Sequence, residues 1–147
     1  MDQVRSFLFW MMILIFIIFY PMLISIYVFI PLMIGFMGYL FILGIEKSKT
    51  SYILIALAYL INLEVNLSLP LFLTILTIIF FFVSIYPVLT ILKGCKICIA
   101  TLSVLFIDLL YFIMLLGYDF VFDESSIVVD QLLLYSLFVD MLTVFML

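Results

Sequence analysis

The stretch Ser6–Ile45 is SFLFWMMILIFIIFYPMLISIYVFIPLMIGFMGYLFILGI, and its forty residues carry no charge. Basic residues flank it, with Arg5 before it and Lys47 and Lys49 after it. One helix needs about twenty apolar residues to cross the ~30 Å hydrocarbon core of a bilayer. The stretch therefore predicts two crossing helices joined by a tight turn at Pro31, because proline disfavours helix at the residue before it.

The composition of the whole chain also indicates a lipid environment. Hydrophobic residues make up 71% of the 147 residues, and the mean hydropathy is +1.61. A chain with so little polar surface is typical of an integral membrane protein, whose solvent is lipid. We therefore predict a single integral membrane domain over residues 1–147, in contact with the lipid bilayer. No tract is basic enough to bind nucleic acid.

The basic residues predict the topology. They form three clusters, which are Arg5, then Lys47 and Lys49, then Lys93 and Lys96. Cytoplasmic loops of membrane proteins are enriched in Lys and Arg, so we expect all three clusters in the cytoplasm, with an even number of crossings between them. The result is an all-α polytopic membrane bundle of about six transmembrane helices with both termini cytoplasmic.

Prolines and polar interruptions predict the other helix boundaries. The five later helices are expected over about Pro31–Gly44, Thr50–Leu63, Pro70–Leu92, Ile97–Tyr118 and Val128–Leu147. Pro87 can kink the fourth helix, and Asp119, Asp123 and Glu124 belong to an outer loop. The alternative is a five-helix bundle with one long tilted first helix, which places Arg5 and Lys47 on opposite sides of the membrane.

The residue types argue against catalysis. The chain has no histidine, the commonest general base and transition-metal ligand, and it has no Gly-rich phosphate loop. We expect no enzymatic activity, no cofactor and no metal site. Cys95 and Cys98 have the spacing of a dithiol or half of a metal site, but two further zinc ligands are missing. We interpret them as reduced structural cysteines at the cytoplasmic start of a helix.

Two carboxylates fall within the predicted hydrocarbon region, Asp108 in the fifth helix and Asp140 in the sixth. Both lie near the midplane of neighbouring antiparallel helices. A carboxylate at a helix centre costs about 2.5–3.5 kcal/mol on insertion scales, and such residues usually face a bundle interior, a cavity or a partner. At least one is expected to be protonated, because an apolar medium disfavours the charged form. Two interpretations stay open: a proton, cation or partner site, and a structural hydrogen bond to a neighbouring hydroxyl.

A third polar spot combines Glu64 with Asn62 and Asn66 at the outer end of the third helix. It is either an ordinary helix-ending loop or a re-entrant, substrate-facing turn. With the intramembrane carboxylates, it completes the set of candidate polar or partner contacts: Asp108, Asp140, Glu64 and Asn62.

The order of these features resembles the bacterial rod-shape-determining MreD family. The third of about six helices in that family ends in an acidic residue, followed by a short polar stretch and a turn into the fourth. Here Tyr59-Leu60-Ile61-Asn62-Leu63-Glu64 and then Ser68-Leu69-Pro70-Leu71-Phe72 occupy that place. The polar residue of the family's last helix has its counterpart in Leu134-Tyr135-Ser136-Leu137-Phe138-Val139-Asp140. Departures from the pattern are Glu64 for Asp, Phe72 for glycine and Asp140 for Asn.

The resemblance implies a noncatalytic scaffold in the cell-elongation complex of the bacterial inner membrane. Its partners would be the bitopic protein MreC and, through it, the peptidoglycan synthase and an actin-like filament. The predicted architecture is also similar to the six-helix substrate-binding subunits of energy-coupling transporters. A small transporter or substrate-binding membrane subunit that uses the intramembrane carboxylates is therefore the alternative.

The topology makes a prediction about labelling in intact cells, where residues 119–126 should be external and Cys95 cytoplasmic. A membrane-impermeant thiol reagent should label a variant that lacks both native cysteines and carries Ser125→Cys. The same reagent should not label a variant whose only cysteine is Cys95. Labelling of the Cys95 variant without labelling of the Ser125→Cys variant would invert the topology.

Overall fold

The computed structural model describes residues 1–27, 30–92, 94–123 and 131–146, and this part of the chain contains helices and no strand. The helices are α1 (Asp2–Ile26), α2 (Ile34–Glu46), α3 (Thr50–Asn66), α4 (Leu73–Ser84), α5 (Tyr86–Leu89), α6 (Lys96–Phe122) and α7 (Gln131–Met146). The predicted all-α class is confirmed. Lys93, Glu124, Ser125 and the predicted helix start at Val128 lie outside the described residues.

Each helix predicted from the sequence has a counterpart in the structure. One of them, the fourth, is divided in two at a place where the sequence predicted only a kink. The predicted fourth helix is split into α4 and the four-residue α5. Pro87 lies in the first turn of α5 and has no N–H to donate to the carbonyl of Val83, which removes one helix hydrogen bond at the point where α4 ends. The single long first helix of the five-helix alternative does not form, because the helix ends at Ile26 and begins again at Ile34.

The helices differ in length. Two of them, α1 and α6, are long and apolar enough to cross a membrane, judged by length and composition. The helices α2 and α4 have 13 and 12 residues, which is about 18–20 Å at ~1.5 Å per residue. Both are shorter than a ~30 Å hydrocarbon core, and each has a buried residue in its first turn, Ile34 in α2 and Thr74 in α4.

The short helix α2 is at the centre of the bundle. It packs against α3, α4, α6 and α7, whereas α1 packs against α3. Gly35 and Gly38 let α2 approach α6 closely: a Cβ on Gly35 would lie 2.6 Å from Asp108 Oδ2, and one on Gly38 would lie 3.1 Å from the Ile107 side chain. The core around this contact is aliphatic and aromatic, with Ile42, Tyr59, Leu60, Leu63, Ile78, Phe81, Ile107 and Tyr111 almost fully buried.

The contact between Gly35 and Asp108 predicts a steric effect that a control glycine lacks. Gly35→Ala would bring a methyl group within 2.6–2.8 Å of three carboxyl atoms of Asp108, a short buried side chain with little room to move. We expect a loss of about 1–3 kcal/mol of stability, measured as a lower melting temperature in detergent. Gly117→Ala meets nothing within 4 Å and should stabilise α6 by up to ~1 kcal/mol through helix propensity. Equal melting temperatures for the two variants would contradict the packing described.

Candidate functional site

Large apolar side chains cover much of the outer surface of the bundle, and several polar side chains lie in its interior. Among the described residues, the buried polar and charged side chains are Glu64, Thr74, Thr77, Ser103, Asp108, Ser136 and Asp140. The outer surface carries many large apolar side chains, including most of α1 from Phe7 to Phe19. Contiguous apolar surfaces of this extent are rare on soluble monomers. The polar chemistry of the described bundle therefore lies mainly in its interior.

The first interior polar group is at the N-terminus of α2. Asp140 is fully buried on α7, and its Oδ2 accepts a hydrogen bond from the Gly35 N–H at 3.0 Å. The first N–H groups of a helix have no partner within the helix, and they form the positive end of its dipole. Asp140 therefore caps α2 from a helix about a hundred residues later in the chain.

Asp108 lies on the other side of the same glycine. Its carboxyl group packs against the Cα of Gly35 and so lies beside the Asp140 carboxyl group, which accepts from the N–H of the same residue. A hydrogen bond between two carboxyl groups requires a proton on one of them. In the described part of the chain, Asp108 Oδ2 and Asp140 Oδ1 are both buried without a hydrogen-bond partner. The two predicted intramembrane carboxylates thus form one pair.

The non-helical segment before α2 is held by side chains from three helices. Tyr20 on α1 donates to the Pro31 carbonyl at 2.9 Å, and Tyr59 on α3 donates to the Leu32 carbonyl at 2.9 Å. The Leu32 N–H donates to Ser136 Oγ on α7 at 3.2 Å. Irregular backbone at membrane depth is tolerated only where protein or water satisfies its polar groups. These bonds supply that satisfaction within the bundle.

Glu64 performs a second capping role, at the N-terminus of α4. Its Oε2 accepts from the Phe72 N–H at 2.7 Å. Its Oε1 accepts from the Thr74 N–H at 2.8 Å and from the Thr74 hydroxyl at 2.6 Å. The side chain is fully buried. Of the two interpretations of this spot, the geometry favours a helix-ending turn, since both carboxylate oxygens are used in closing α3 onto α4.

The two capped turns share a sequence pattern that the sequence analysis missed. Pro31-Leu32-Met33-Ile34-Gly35 precedes and opens α2, and Pro70-Leu71-Phe72-Leu73-Thr74 does the same for α4. The third residue of each has a positive φ, 54° at Met33 and 67° at Phe72. The fifth residue donates its N–H to a buried carboxylate. Comparing the two Pro-Leu dipeptides within the sequence would have shown this internal repeat.

Asn62 is on the same helix as Glu64 but forms its hydrogen bonds with a different helix, α1. Its Nδ2 donates to the carbonyls of Ile17 and Ile18 on α1, at 2.8 and 3.2 Å. Pro21 lies inside α1 and has no N–H to bond to the Ile17 carbonyl four residues before it. Asn62 satisfies that carbonyl, so it fastens α1 to α3. The structure therefore separates two residues that the sequence analysis grouped in one polar spot.

The cysteines differ from the expectation of reduced thiols. Cys95 and Cys98 are joined by a disulfide, with Cα atoms 5.2 Å apart. Cys95 is the N-cap of α6, and its sulfur accepts a hydrogen bond from the Cys98 N–H. The first turn of a helix brings residues three apart onto one face, which is why the two sulfur atoms meet. In the described residues, no group of three or more Cys, Asp or Glu side chains could hold a metal ion.

Comparisons with known proteins add no relative. No protein-family model matches the chain, and no match is found among curated proteins or solved structures.

The two carboxylate caps predict different responses to amide substitution. Glu64→Gln should destabilise the protein by about 1–3 kcal/mol, because both oxygens of Glu64 accept from N–H groups and one would become an NH₂ group. Asp140→Asn should be tolerated, since its remaining oxygen can accept from Gly35 while its NH₂ group donates to Asp108. Thermal unfolding of the two purified variants in detergent measures the difference. A lower melting temperature for Asp140→Asn than for Glu64→Gln would contradict these assignments.

Proposed function

We propose that this chain is a small multi-pass protein of the bacterial inner membrane that acts as a noncatalytic scaffold, similar in role to the MreD family. In this proposal six helical units cross or enter the bilayer, with both termini in the cytoplasm. The partners are other integral membrane proteins, first of all a bitopic MreC-like protein. Through them the scaffold would serve the cell-elongation complex that builds the cell wall.

The membrane location is supported by the apolar outer surface of the bundle. Two helices have the length and composition of membrane spans. Along α1, large side chains such as Phe7, Phe9, Met12 and Phe19 are more than half exposed, and water would make that exposure unfavourable. The satisfaction of the Ile17 carbonyl by Asn62 is the arrangement that lets a membrane helix contain a proline.

One observation carries the scaffold role: the buried carboxylates Glu64 and Asp140 each accept hydrogen bonds from the first turn of a helix. Buried groups that bond in this way fix the relative positions of helices. Their use in capping favours a rigid structural element over a reactive site. Such a bundle presents a defined outer surface to neighbouring membrane proteins.

The MreD-like pattern gains support at one backbone position. Phe72 has a φ of 67°, a conformation that favours glycine, and it stands where that family's pattern has glycine. A non-glycine residue in this conformation costs about 1 kcal/mol or more. A left-handed backbone at Phe72 is compatible with the glycine of that pattern.

A second candidate function is ion-coupled transport, favoured by the pair Asp108 and Asp140. Their carboxyl groups both contact Gly35 inside the bundle, and one buried oxygen of each has no hydrogen-bond partner in the described structure. Discontinuous helices with buried carboxylates hold protons or cations in several transporter folds. A carrier of this kind needs the pair to change its charge during the cycle, whereas a scaffold needs only its hydrogen bonds.

The two candidates predict opposite results for amide variants in a deletion strain. If the chain is a scaffold, Asp108→Asn and Asp140→Asn, singly and together, should support normal growth and shape at normal membrane abundance. Asp140→Leu should do worse than Asp140→Asn, because it deletes a polar contact worth about 0.6 kcal/mol on average and up to ~1.7 in membrane helices. Asn variants that are abundant in the membrane but inactive would replace the scaffold role with an ion-coupled one.

Purification of the tagged chain with its partners complements this test. The scaffold proposal expects a bitopic membrane protein and cell-wall synthesis proteins to copurify, and the Asn variants to retain them. Copurification of an ATPase and its membrane subunit instead would support the transport alternative. Gly117→Ala serves as the matched neutral control, since its substituted position lies in open space.

A further inference from the structure

A groove runs between α1 and α2 on the surface of α3. It exists because α1 and α2 both pack against α3, with a space between them. The groove encloses about 540 Å³, within the range of about 300–1,000 Å³ that is usual for small-molecule sites. Its walls are apolar, with Trp10, Ile13 and Phe16 from α1 and Met37 and Leu40 from α2.

The groove has one polar end. Lys49 lines this end with the hydroxyl side chains Ser48, Thr50 and Ser51. Among the residues that the structure describes, those lining the groove include Lys49 as a cation and no carboxylate. Lys49 is the N-cap of α3 and supplies no side-chain cap to it. The positive end of the α3 dipole therefore lies at the polar end of the groove. The polar end is therefore complementary to an anion.

The length of the groove matches one leaflet of a bilayer. On α1 its lining extends from Phe9 to Ile17, which is about 12 Å of helix at ~1.5 Å per residue. Half of a ~30 Å hydrocarbon core is about 15 Å. The lining also becomes more enclosed away from the polar end, since Phe9 is 63% exposed and Ile17 only 9%. A transmembrane partner helix would need a surface about twice as long.

We propose that this groove binds one anionic phospholipid of the cytoplasmic leaflet. One acyl chain lies along Trp10, Ile13 and Leu40, and the phosphate lies at Lys49 among the hydroxyl groups of the turn before α3. The lipid fills the space between α1 and α2 and so holds α1 in its place on α3. This inference rests on the proposed membrane location.

The test measures the melting temperature of the full-length protein in detergent during titration with phosphatidylglycerol, with phosphatidylcholine of the same chains, and with inorganic phosphate. Phosphatidylglycerol should raise the melting temperature, and the other two should have little effect. Lys49→Gln should weaken phosphatidylglycerol binding about fivefold, because a basic residue at a membrane surface contributes about 1 kcal/mol to the attraction of anionic lipid. The matched control Lys96→Gln, outside the groove, should bind like the wild type.

A second variant tests the apolar part of the groove. Leu40→Trp should fill it and remove the response to phosphatidylglycerol, while the helix content and the lipid-free melting temperature stay near the wild-type values. Equal responses to the two lipids, a full response to inorganic phosphate alone, or unchanged binding in Lys49→Gln would each overturn the lipid site. Loss of a copurifying membrane partner from Leu40→Trp without any lipid preference would overturn it in favour of a partner helix.

Failure of the lipid site can be distinguished from failure of the proposed function. Cell fractionation shows separately whether the chain is in the membrane. If the protein is in the membrane but shows no lipid preference, only the lipid site is contradicted. If the chain is in the soluble fraction, the proposed location is contradicted as well.

Discussion

The N-terminal N–H groups of α2 and α4 are the constraint on which the rest of the bundle depends. The first turn of each helix has a buried residue that donates its N–H to a buried carboxylate, Gly35 in α2 and Thr74 in α4. An unpaired buried N–H costs about 1–3 kcal/mol in proteins, and more in hydrocarbon. Two carboxylates accept hydrogen bonds from these N–H groups, Glu64 at α4 and Asp140 at α2. Each also complements the positive end of a helix dipole.

The two caps have different consequences for assembly. Glu64 and Thr74 are only ten residues apart, so α3 and α4 can close their turn as a local unit. Asp140 and Gly35 are 105 residues apart, so the start of α2 is satisfied only after α7 has packed. Until then, Tyr20 and Tyr59 can hold the carbonyls of the preceding segment, but the Leu32 N–H, whose acceptor Ser136 is on α7, stays unpaired. The last helix therefore completes the first turn of the central helix.

The sequence predicted the helices well because its signals were local. Charge-free stretches, prolines and basic clusters gave the all-α class and the order of the helices. The meeting of Asp108 and Asp140 could also be anticipated, since equal depth on neighbouring antiparallel helices brings two residues together. The convergence of both carboxyl groups on Gly35 could not be anticipated, because it depends on which face of α2 approaches α6. The separate roles of Glu64 and Asn62 were missed for the same reason: residues two apart on a helix point in different directions.

The same capped turn occurs twice in this chain, which indicates that both turns solve the same structural problem. A proline, a leucine and a residue with positive φ bring the backbone to the start of a helix at Met33 and at Phe72, and a carboxylate accepts the N–H two residues later. The acceptor can come from the preceding helix, as Glu64 does, or from the far end of the chain, as Asp140 does. In the second case the acceptor comes from a distant helix, and the Asp108 side chain packs against the same glycine from α6. The carboxyl pair thus follows from a backbone requirement, so its presence alone is insufficient evidence for transport.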